Sequence, residues 1–208
     1  MLRIFYLILC SLHLLVLVFF SEIFALRLLS KILPIVLLIF ALVQEKRTKT
    51  KLGIWIGIGL VFSLIGDTIL ALPDRVFVLG LASFLITQIC YTFAFSLHSS
   101  LHLWRLLPFL VFGILYYAWL LGGIPASMQI PVAFYVLAIC TMGWRSAARE
   151  VSKKKWILSL SGASIFIVSD ALIALGQFTS IKIPFHGIAI MGTYYLAQYL
   201  IFESTKEE

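Results

Sequence analysis

The chain is dominated by eight long apolar runs, each close to the length that crosses a bilayer. An α-helix spans the hydrocarbon core with about 20 apolar residues, and in lipid its backbone must satisfy its own hydrogen bonds. Polar or turn-forming breaks divide the chain into eight predicted spans: 4–20, 28–44, 53–72, 76–97, 103–121, 128–147, 156–176 and 184–203. The pattern predicts an all-α fold, a polytopic integral membrane bundle of eight transmembrane helices. Because the loops are short, residues 1–208 are expected to form a single transmembrane domain.

The composition agrees with this reading and excludes an ordinary soluble domain. Charged residues make up 12% of the chain and hydrophobic residues 62%, whereas a soluble domain carries about 25% charged residues. The formal net charge of +7 lies in short basic clusters between apolar runs. In that position basic residues act as topology signals. We therefore expect membrane lipids as partners and no nucleic acid.

The basic residues are divided unequally between the two sides of the predicted bundle. Eight spans place both termini on one side, together with the loops after spans two, four and six. The basic residues on that side are Arg3, Lys46, Arg47, Lys49, Lys51, Arg105, Arg145, Arg149, Lys153, Lys154, Lys155 and Lys206. Those on the other side are Arg27, Lys31, Arg75 and Lys182. The positive-inside rule puts both termini in the cytoplasm, and we expect a multi-pass protein of a bacterial inner membrane. Nothing in the sequence indicates an oligomeric state.

The cysteines and histidines give no sign of a metal or redox centre. Cys10, Cys90 and Cys140 all lie inside apolar runs and are odd in number, which argues against a disulfide framework. The four histidines are scattered near span ends without metal-ligand spacing. No cofactor is expected.

Two carboxylates stand well inside apolar runs, Asp67 in span three and Asp170 in span seven. A charged group at the centre of a membrane helix costs about 2.5–3.5 kcal/mol on insertion scales, so such groups usually face the bundle interior and mark function. A hydrogen-bonded Asp that only packs helices is the structural alternative. Spans three and seven run in the same direction, which predicts that the two carboxylates lie at the same membrane depth. They are the candidate catalytic residues.

The sequences around the two carboxylates are similar to each other at an offset of 103 residues. Residues 66–72 (GDTILAL) correspond to residues 169–175 (SDALIAL), and Tyr91 corresponds to Tyr194 at the same offset. Similar apolar segments also arise by chance in a Leu-rich chain. An Asp and a Tyr in register favour an internal duplication of the kind found in membrane transporters.

Further polar groups lie on spans two, four and eight. The candidate substrate-binding residues are Lys31, Gln88, Tyr91, Tyr194, Tyr195 and Gln198. Lys31 reaches a depth similar to that of the carboxylates, where it either pairs with one of them or with a lipid phosphate, or snorkels to the interface. Gln88 and Tyr91 share one helix face, as do Tyr194 and Gln198.

The polar residues of these spans also have purely structural explanations. A membrane Gln can simply join helices, and a Tyr can belong to the interfacial belt. Ser63, Thr87 and Ser169 are expected to bond to the backbone of their own helices, which is the commoner case for small hydroxyl side chains.

Two carboxylates held close together in a low-dielectric site do not both ionise easily, so one is expected to keep a proton while the other stays charged. Such an acid–base pair fits three activities: hydrolysis, intramembrane aspartyl proteolysis and proton-coupled transport of a lipid or small molecule. The usual Gly-x-Gly-Asp of the proteases is not met, because Leu64 occupies the first Gly position. Transport predicts broken helices at corresponding places in the two halves, and no such pair is present. The residues by themselves leave the choice open.

Two separated signatures carry a resemblance to a known family. The first is Phe62-Ser63-x-x-Gly66-Asp67-x-x-Leu70, followed by Phe77-x-x-Gly80-Leu81-x-x-Phe84 and Tyr91. The second is Gly162-Ala163-x-x-Phe166-x-x-Ser169-Asp170, followed by Thr193-Tyr194-Tyr195-x-Ala197-Gln198-x-Leu200-Ile201. Together with the eight-span layout, they resemble the YhhN family of integral-membrane lysoplasmalogenases over nearly the whole chain.

The resemblance implies an ether hydrolase that cleaves the vinyl ether bond of a lysophospholipid, lysoplasmalogen, into a fatty aldehyde and glycerophospho-ethanolamine or -choline. It implies Asp67 and Asp170 as the catalytic pair. Two departures weaken the other roles. The family commonly has His where this chain has Gln88, and its span-two Lys is usually followed directly by Pro, whereas here two residues separate Lys31 from Pro34.

Overall fold

The computed structural model describes residues 1–72 and 77–206, and these residues form eight α-helices with short connections. The helices are α1 (Leu2–Phe19), α2 (Phe24–Gln44), α3 (Lys51–Ala71), α4 (Phe77–Ser96), α5 (Leu107–Leu120), α6 (Ala126–Ala147), α7 (Lys153–Phe178) and α8 (His186–Glu203). Short 3₁₀ turns occupy Arg47–Lys49, Leu103–Leu106 and Leu121–Gly123. The described residues contain no strand, so the all-α prediction is confirmed.

The eight predicted spans match these helices to within a few residues at each end. Outside span five, the largest difference is in α2, which begins at Phe24, four residues earlier than predicted. Helix α7 begins three residues earlier, because Lys153–Lys155 form its first turn. Span five is observed as α5 with a 3₁₀ turn at each end. The predicted first residue of span four, residue 76, and Arg75 lie outside the described residues.

Seven of the helices in the described chain are long and apolar enough to cross a membrane. The exception by composition is α8, which has the same length as α1 but carries His186, Gln198, Glu203 and several tyrosines. Many large apolar side chains of α1, α2 and α5 are exposed on the outside of the bundle. That surface is what a lipid-embedded bundle requires. The chain is a multi-pass membrane protein.

Two helix pairs make the closest contacts, α3 with α4 and α7 with α8. Glycines permit the approach in both. A Cβ on Gly59 would lie 2.3 Å from the Tyr91 ring, and one on Gly162 would lie 2.8 Å from the Ile201 side chain and 3.0 Å from its backbone nitrogen. Close contact through small residues is typical of helix packing in membranes. Gly59 and Gly162 are also 103 residues apart, the offset of the two carboxylates.

The remaining helices complete the bundle around these pairs. Helix α2 packs against α1, α3 and α8, and α6 packs against α4, α5 and α7. The largest fully buried side chains include Tyr91, Phe95, Phe166 and Tyr195. They lie in one cluster of buried residues that surrounds the two carboxylate-bearing helices.

Candidate active site

Asp67 and Asp170 line the same cavity, between α2, α3, α4, α7 and α8. The cavity has a volume of about 250 Å³. We call it the polar cavity. Its polar lining consists of Lys31, Asp67, Ser169, Asp170, Gln177, His186 and Tyr194. The structure thus brings the two predicted carboxylates to one cavity.

Asp67 on α3 is held by a cation and a phenol. Its Oδ1 lies 3.2 Å from the Lys31 ammonium, and its Oδ2 accepts a hydrogen bond of 2.6 Å from the Tyr194 hydroxyl. Lys31 also donates to the Asp67 backbone carbonyl at 3.1 Å. Only 3% of Asp67 is exposed. Of the alternatives for Lys31, the structure therefore shows pairing with a carboxylate.

Asp170 on α7 has neutral partners. Its Oδ2 accepts hydrogen bonds from the Gln88 amide at 3.0 Å and from the Tyr135 hydroxyl at 2.5 Å. Its other oxygen, Oδ1, accepts no hydrogen bond from the described residues, and no Lys, Arg or His among them lies within 4.0 Å of the carboxylate. Both carboxylates are thus buried, and their electrostatic surroundings differ.

Tyr91 and Gln198 belong to a separate buried network between α3, α4 and α8. The Tyr91 hydroxyl donates to Gln198 Oε1 at 2.6 Å, and Gln198 Nε2 donates to Ser63 Oγ at 2.8 Å. Ser63 continues the chain to Thr87 at 3.2 Å, and Thr87 donates to the carbonyl of Gly59 at 3.1 Å. None of these five residues is among those that line the polar cavity.

Tyr195 also lies outside the polar cavity lining, and its hydroxyl donates to the backbone carbonyl of Lys31 at 2.9 Å. This bond joins α8 to α2 next to the cation. Of the six candidate substrate-binding residues, Lys31, Gln88 and Tyr194 contact a carboxylate in the structure. The other three, Tyr91, Tyr195 and Gln198, instead join the helices around the site.

The sequence reasoning missed Tyr135 and misassigned two serines. Tyr135 lies in the middle of predicted span six, and a phenol at that depth was the available signal. Ser63 and Ser169 bond across helices rather than to their own: Ser169 donates to the Ile190 carbonyl on α8 at 3.1 Å. Only Thr87 also contacts its own helix, at the Ser83 carbonyl. The expectation of local bonds was wrong for the serines because the helix pairs approach closely enough for a short side chain to reach the neighbouring helix.

An apolar groove meets the polar cavity at Asp170. It encloses about 70 Å³ between α4, α5, α6 and α7. The residues common to both are Leu70, Phe77, Phe84, Asp170 and Ile173. Phe112 lines the groove and is also exposed at the bundle surface, so the groove reaches the lipid-facing outside. Asp170 therefore stands between an apolar space and a polar one.

Among the described residues, no group of three or more His, Cys, Asp or Glu side chains is placed to hold a metal ion. The acidic residues of the site are instead bound by Lys, Tyr and Gln side chains. The fold and the site define a multi-pass helical membrane protein with two buried carboxylates at one polar cavity. The chain belongs to the YhhN family, whose model matches residues 26–205.

Named relatives of the chain are mammalian lysoplasmalogenases. Lysoplasmalogenase TMEM86A of Bos taurus is 37% identical over 158 residues, 73% of this chain and 65% of the relative. The Homo sapiens protein of the same name shows the same identity and coverage. Lysoplasmalogenase TMEM86B of Sus scrofa is 34% identical over 148 residues, 71% of this chain and 62% of the relative. The chain thus spans slightly less than two thirds of the length of these relatives. No solved structure is a significant match.

Proposed function

We propose that the protein is a lysoplasmalogenase, an ether hydrolase that converts lysoplasmalogen and water to a fatty aldehyde and glycerophospho-ethanolamine or -choline. Membership of the YhhN family and the names of the relatives support this activity. The observation that carries the proposal is the placement of Asp170, which lines both the polar cavity and the apolar groove. A lipid whose reacting bond joins an apolar chain to a polar headgroup needs such a junction.

The chemistry requires a proton donor and a group that tolerates positive charge. A vinyl ether is protonated at the carbon beta to oxygen, which leaves an oxocarbenium ion. Water adds to that ion, and loss of a proton gives a hemiacetal, which collapses to the aldehyde and the glycerol hydroxyl. Glycosidase carboxylates divide acid and base duties around a related cation.

We assign the proton donor to Asp170 and the charged carboxylate to Asp67. A buried carboxyl group with only neutral partners favours its protonated form, whereas an adjacent cation favours the ionised form. Asp170 meets Gln88 and Tyr135, and Asp67 meets Lys31. The ionised Asp67 stabilises the oxocarbenium ion and takes the proton of the attacking water.

The remaining site residues act as positioning residues in this proposal. Gln88 and Tyr135 fix the Asp170 carboxyl group, and Tyr194 fixes that of Asp67. Tyr195 holds the Lys31 segment, while Tyr91 and Gln198 hold α4 against α8. The alkenyl chain occupies the apolar groove and continues into lipid past α5. The headgroup of the lysophospholipid occupies the polar cavity.

The first experiment measures aldehyde release from 1-alkenyl lysophosphatidylethanolamine by detergent-purified protein. Asp67→Asn and Asp170→Asn are each expected to lose at least about 100-fold in kcat, the usual worth of a general acid or base. Glu22→Gln is the matched control, since it neutralises an exposed carboxylate on the loop between α1 and α2. Wild-type turnover in both Asn variants would contradict the carboxylate mechanism. Absence of aldehyde from folded wild-type protein would contradict the activity itself.

The same assay in D₂O tests the site of protonation. The aldehyde is expected to carry one deuterium on the carbon next to the carbonyl, because the acid delivers its proton to that carbon. An aldehyde without deuterium there would contradict protonation at carbon. An ordinary acyl lysolipid serves as the substrate control.

We also propose the orientation that the charge distribution favours, with both termini in the cytoplasm of a bacterial cell. In that orientation the carboxylates lie nearer the outer face, because α3 and α7 begin at the basic, cytoplasmic end of the bundle. The polar cavity then opens toward the outer leaflet.

A further inference from the structure

A second polar cavity lies at the opposite end of α3 and α7 from the carboxylates. It has a volume of about 660 Å³, and its lining includes Thr50, Lys51, His98, Arg149, Ser152 and Lys155. No acidic residue is part of this lining in the described ranges 1–72 and 77–206. We call it the basic cavity. Its side chains offer hydrogen-bond donors and positive charge.

Arg149 lines this cavity and is itself buried. Only 3% of the residue is exposed, and Nε and Nη1 are buried without a hydrogen-bond acceptor among the described residues. Its guanidinium lies 5.4 Å from the centre of the Phe95 ring. Burial lowers the pKa of Arg149 to about 10, so the group remains charged at neutral pH. A buried guanidinium without an acceptor is costly, which points to a missing anionic partner.

The neighbouring Arg145, at the same end of the bundle, has hydrogen-bond acceptors for its guanidinium group. It donates to Ser96 Oγ at 2.9 Å, to the Ser100 carbonyl at 3.3 Å and to Ser99. The Arg149 segment is also fixed, because the Glu150 amide donates to the His98 carbonyl at 2.7 Å and Arg149 forms an isolated antiparallel bridge with Ser99. The unused donors of Arg149 therefore belong to an anchored segment of the chain.

Two helices begin at the basic cavity, α3 after Thr50 and α7 after Ser152. Helix N-termini carry partial positive charge and free amide donors, and they commonly bind phosphate. The Thr50 hydroxyl accepts from the Gly53 amide, whereas the Ser152 side chain makes no capping bond. The start of α7 thus offers a free hydroxyl group and free amides next to Lys155.

The basic cavity is too far from the carboxylates to hold the headgroup of a lipid that is reacting there. Thr50 precedes Asp67 by 17 residues of α3, which is about 25 Å of helix. In a lysophospholipid only the short glycerol backbone separates the ether oxygen from the phosphate. The occupant of the basic cavity is therefore a different molecule from the substrate.

We propose that the basic cavity is a phosphate-binding site in which Arg149, Lys155 and the N-terminus of α7 hold the phosphate group of a second ligand. Two sources share this chemistry, the headgroup of an anionic lipid and a soluble phosphate ester. The site does not depend on the proposed hydrolase activity, so it is tested by binding.

The test measures the thermal unfolding of the purified protein. One arm compares inorganic phosphate with chloride at equal ionic strength. The other places the protein in phosphatidylcholine nanodiscs with and without phosphatidic acid. Tm is expected to rise with phosphate, with phosphatidic acid, or with both, because a ligand that binds only the folded state stabilises it. A response to phosphatidic acid alone identifies a lipid headgroup, and no response in either arm overturns the proposal.

Two lysines provide matched variants that make the same change in net charge. Lys155 lines the cavity, and Lys154, its neighbour in the same turn of α7, does not. Lys155→Gln is expected to raise the ligand concentration that gives half of the Tm increase about tenfold, as loss of one charge-assisted hydrogen bond does. Lys154→Gln is expected to keep the wild-type concentration. Equal weakening in both variants would indicate diffuse surface charge and overturn the site. Arg149→Met is expected to abolish the response.

A chain ending at Lys206 tests whether the two C-terminal carboxylates occupy the basic cavity. Glu207 and Glu208 lie outside the described residues, two and three positions after Thr205, which lines the cavity. The shortened chain is expected to respond to phosphate as the full chain does. A response that appears only after the shortening would mean that the tail is the occupant, and it would overturn a separate phosphate ligand.

Discussion

Asp67 and Asp170 place the same functional group in two electrostatic surroundings. Asp67 is compensated by the Lys31 ammonium, while Asp170 receives hydrogen bonds from a phenol and an amide. In a low-dielectric interior a charge without a counter-charge is strongly disfavoured. The difference in partners therefore supplies an asymmetry that two identical side chains do not have. It is also the basis for dividing acid and base duties between them.

Tyr135 provides the sharpest test of this asymmetry at the residue scale. Tyr135→Phe removes the hydroxyl that donates to Asp170 and leaves the ring in place. We expect kcat to fall about tenfold or more, because Asp170 becomes charged as it gives up its proton and a hydrogen bond to a charged group is worth about 1.5–3 kcal/mol. The KM should change little, since the hydroxyl positions the acid and the ring still lines the groove.

The control for Tyr135 is Tyr117→Phe, which also removes one partly buried hydrogen bond of a phenol. The Tyr117 hydroxyl donates to the Gln129 carbonyl, away from both carboxylates. Equal losses of activity in the two variants would show a general effect on packing. They would contradict a positioning role for Tyr135.

At the scale of helices, the site is assembled across the two halves of the chain. The offset of 103 residues relates Asp67 and Tyr91 to Asp170 and Tyr194. Yet Tyr194 of the second half donates to Asp67, and Gln88 of the first half donates to Asp170. Each half therefore supplies a donor to the carboxylate of the other. An internal duplication remains a prediction, and the crossing of donors explains why neither helix pair contains the site by itself.

The close approach of α7 to α8 at Gly162 is expected to contribute to the stability of the fold. Gly162→Ala places a methyl group 3.0 Å from the Ile201 backbone nitrogen and 3.2 Å from the Ala197 carbonyl oxygen. We expect a loss of about 1–3 kcal/mol in the free energy of unfolding, the usual cost of overpacking. Reversible denaturation in mixed detergent micelles measures it.

Gly192→Ala is the matched control on α8, because nothing lies within 4 Å of its added Cβ. There the same change is expected to leave stability unchanged or to raise it, since Ala favours a helix more than Gly does. Similar destabilisation by both variants would show that helix propensity, rather than the α7–α8 contact, sets the cost.

At the scale of the whole molecule, charge and chemistry are separated along the helix axes. The carboxylates lie toward the ends of α3 and α7, and the basic cavity lies at the beginnings of the same helices. Because the two helices run in parallel, one end of the bundle gathers their positive N-termini together with Lys51 and Lys155. The helices thus carry the two carboxylates toward one end of the bundle and the basic cavity at the other.

The orientation of the bundle is tested by reporter fusions. A fluorescent protein fused after Lys206 is expected to fold and fluoresce in the cytoplasm, following the positive-inside rule. Alkaline phosphatase inserted between Thr179 and Lys182 is expected to be active, because that loop lies on the opposite side. A fluorescent protein in the basic loop between α6 and α7 is the control for the cytoplasmic side. The reverse pattern would invert the proposed topology and the depth assigned to the carboxylates.

The sequence by itself determined the helices and the two carboxylates. A lipid-embedded backbone has few alternatives to the helix, so the lengths of the apolar runs fixed all eight helices to within a few residues. The high cost of a buried charge singled out Asp67 and Asp170 without any knowledge of their neighbours. Helix α8 is not among the seven described helices that are long and apolar enough to cross a membrane, since it carries polar groups of the site and of the network beside it.

Only the tertiary structure decided which groups meet. The pairing of Lys31 with Asp67, the bonds from Tyr135 and Gln88 to Asp170, and the separate Tyr91–Gln198 network all join residues on different helices. A helical period states which face a residue occupies, but the rotation and neighbours of each helix follow from packing against the others. The basic cavity arises in the same way. In the sequence, Arg149 is one of twelve basic residues that indicate topology. Only the folded chain shows that it is buried and that its Nε and Nη1 have no acceptor among the residues described.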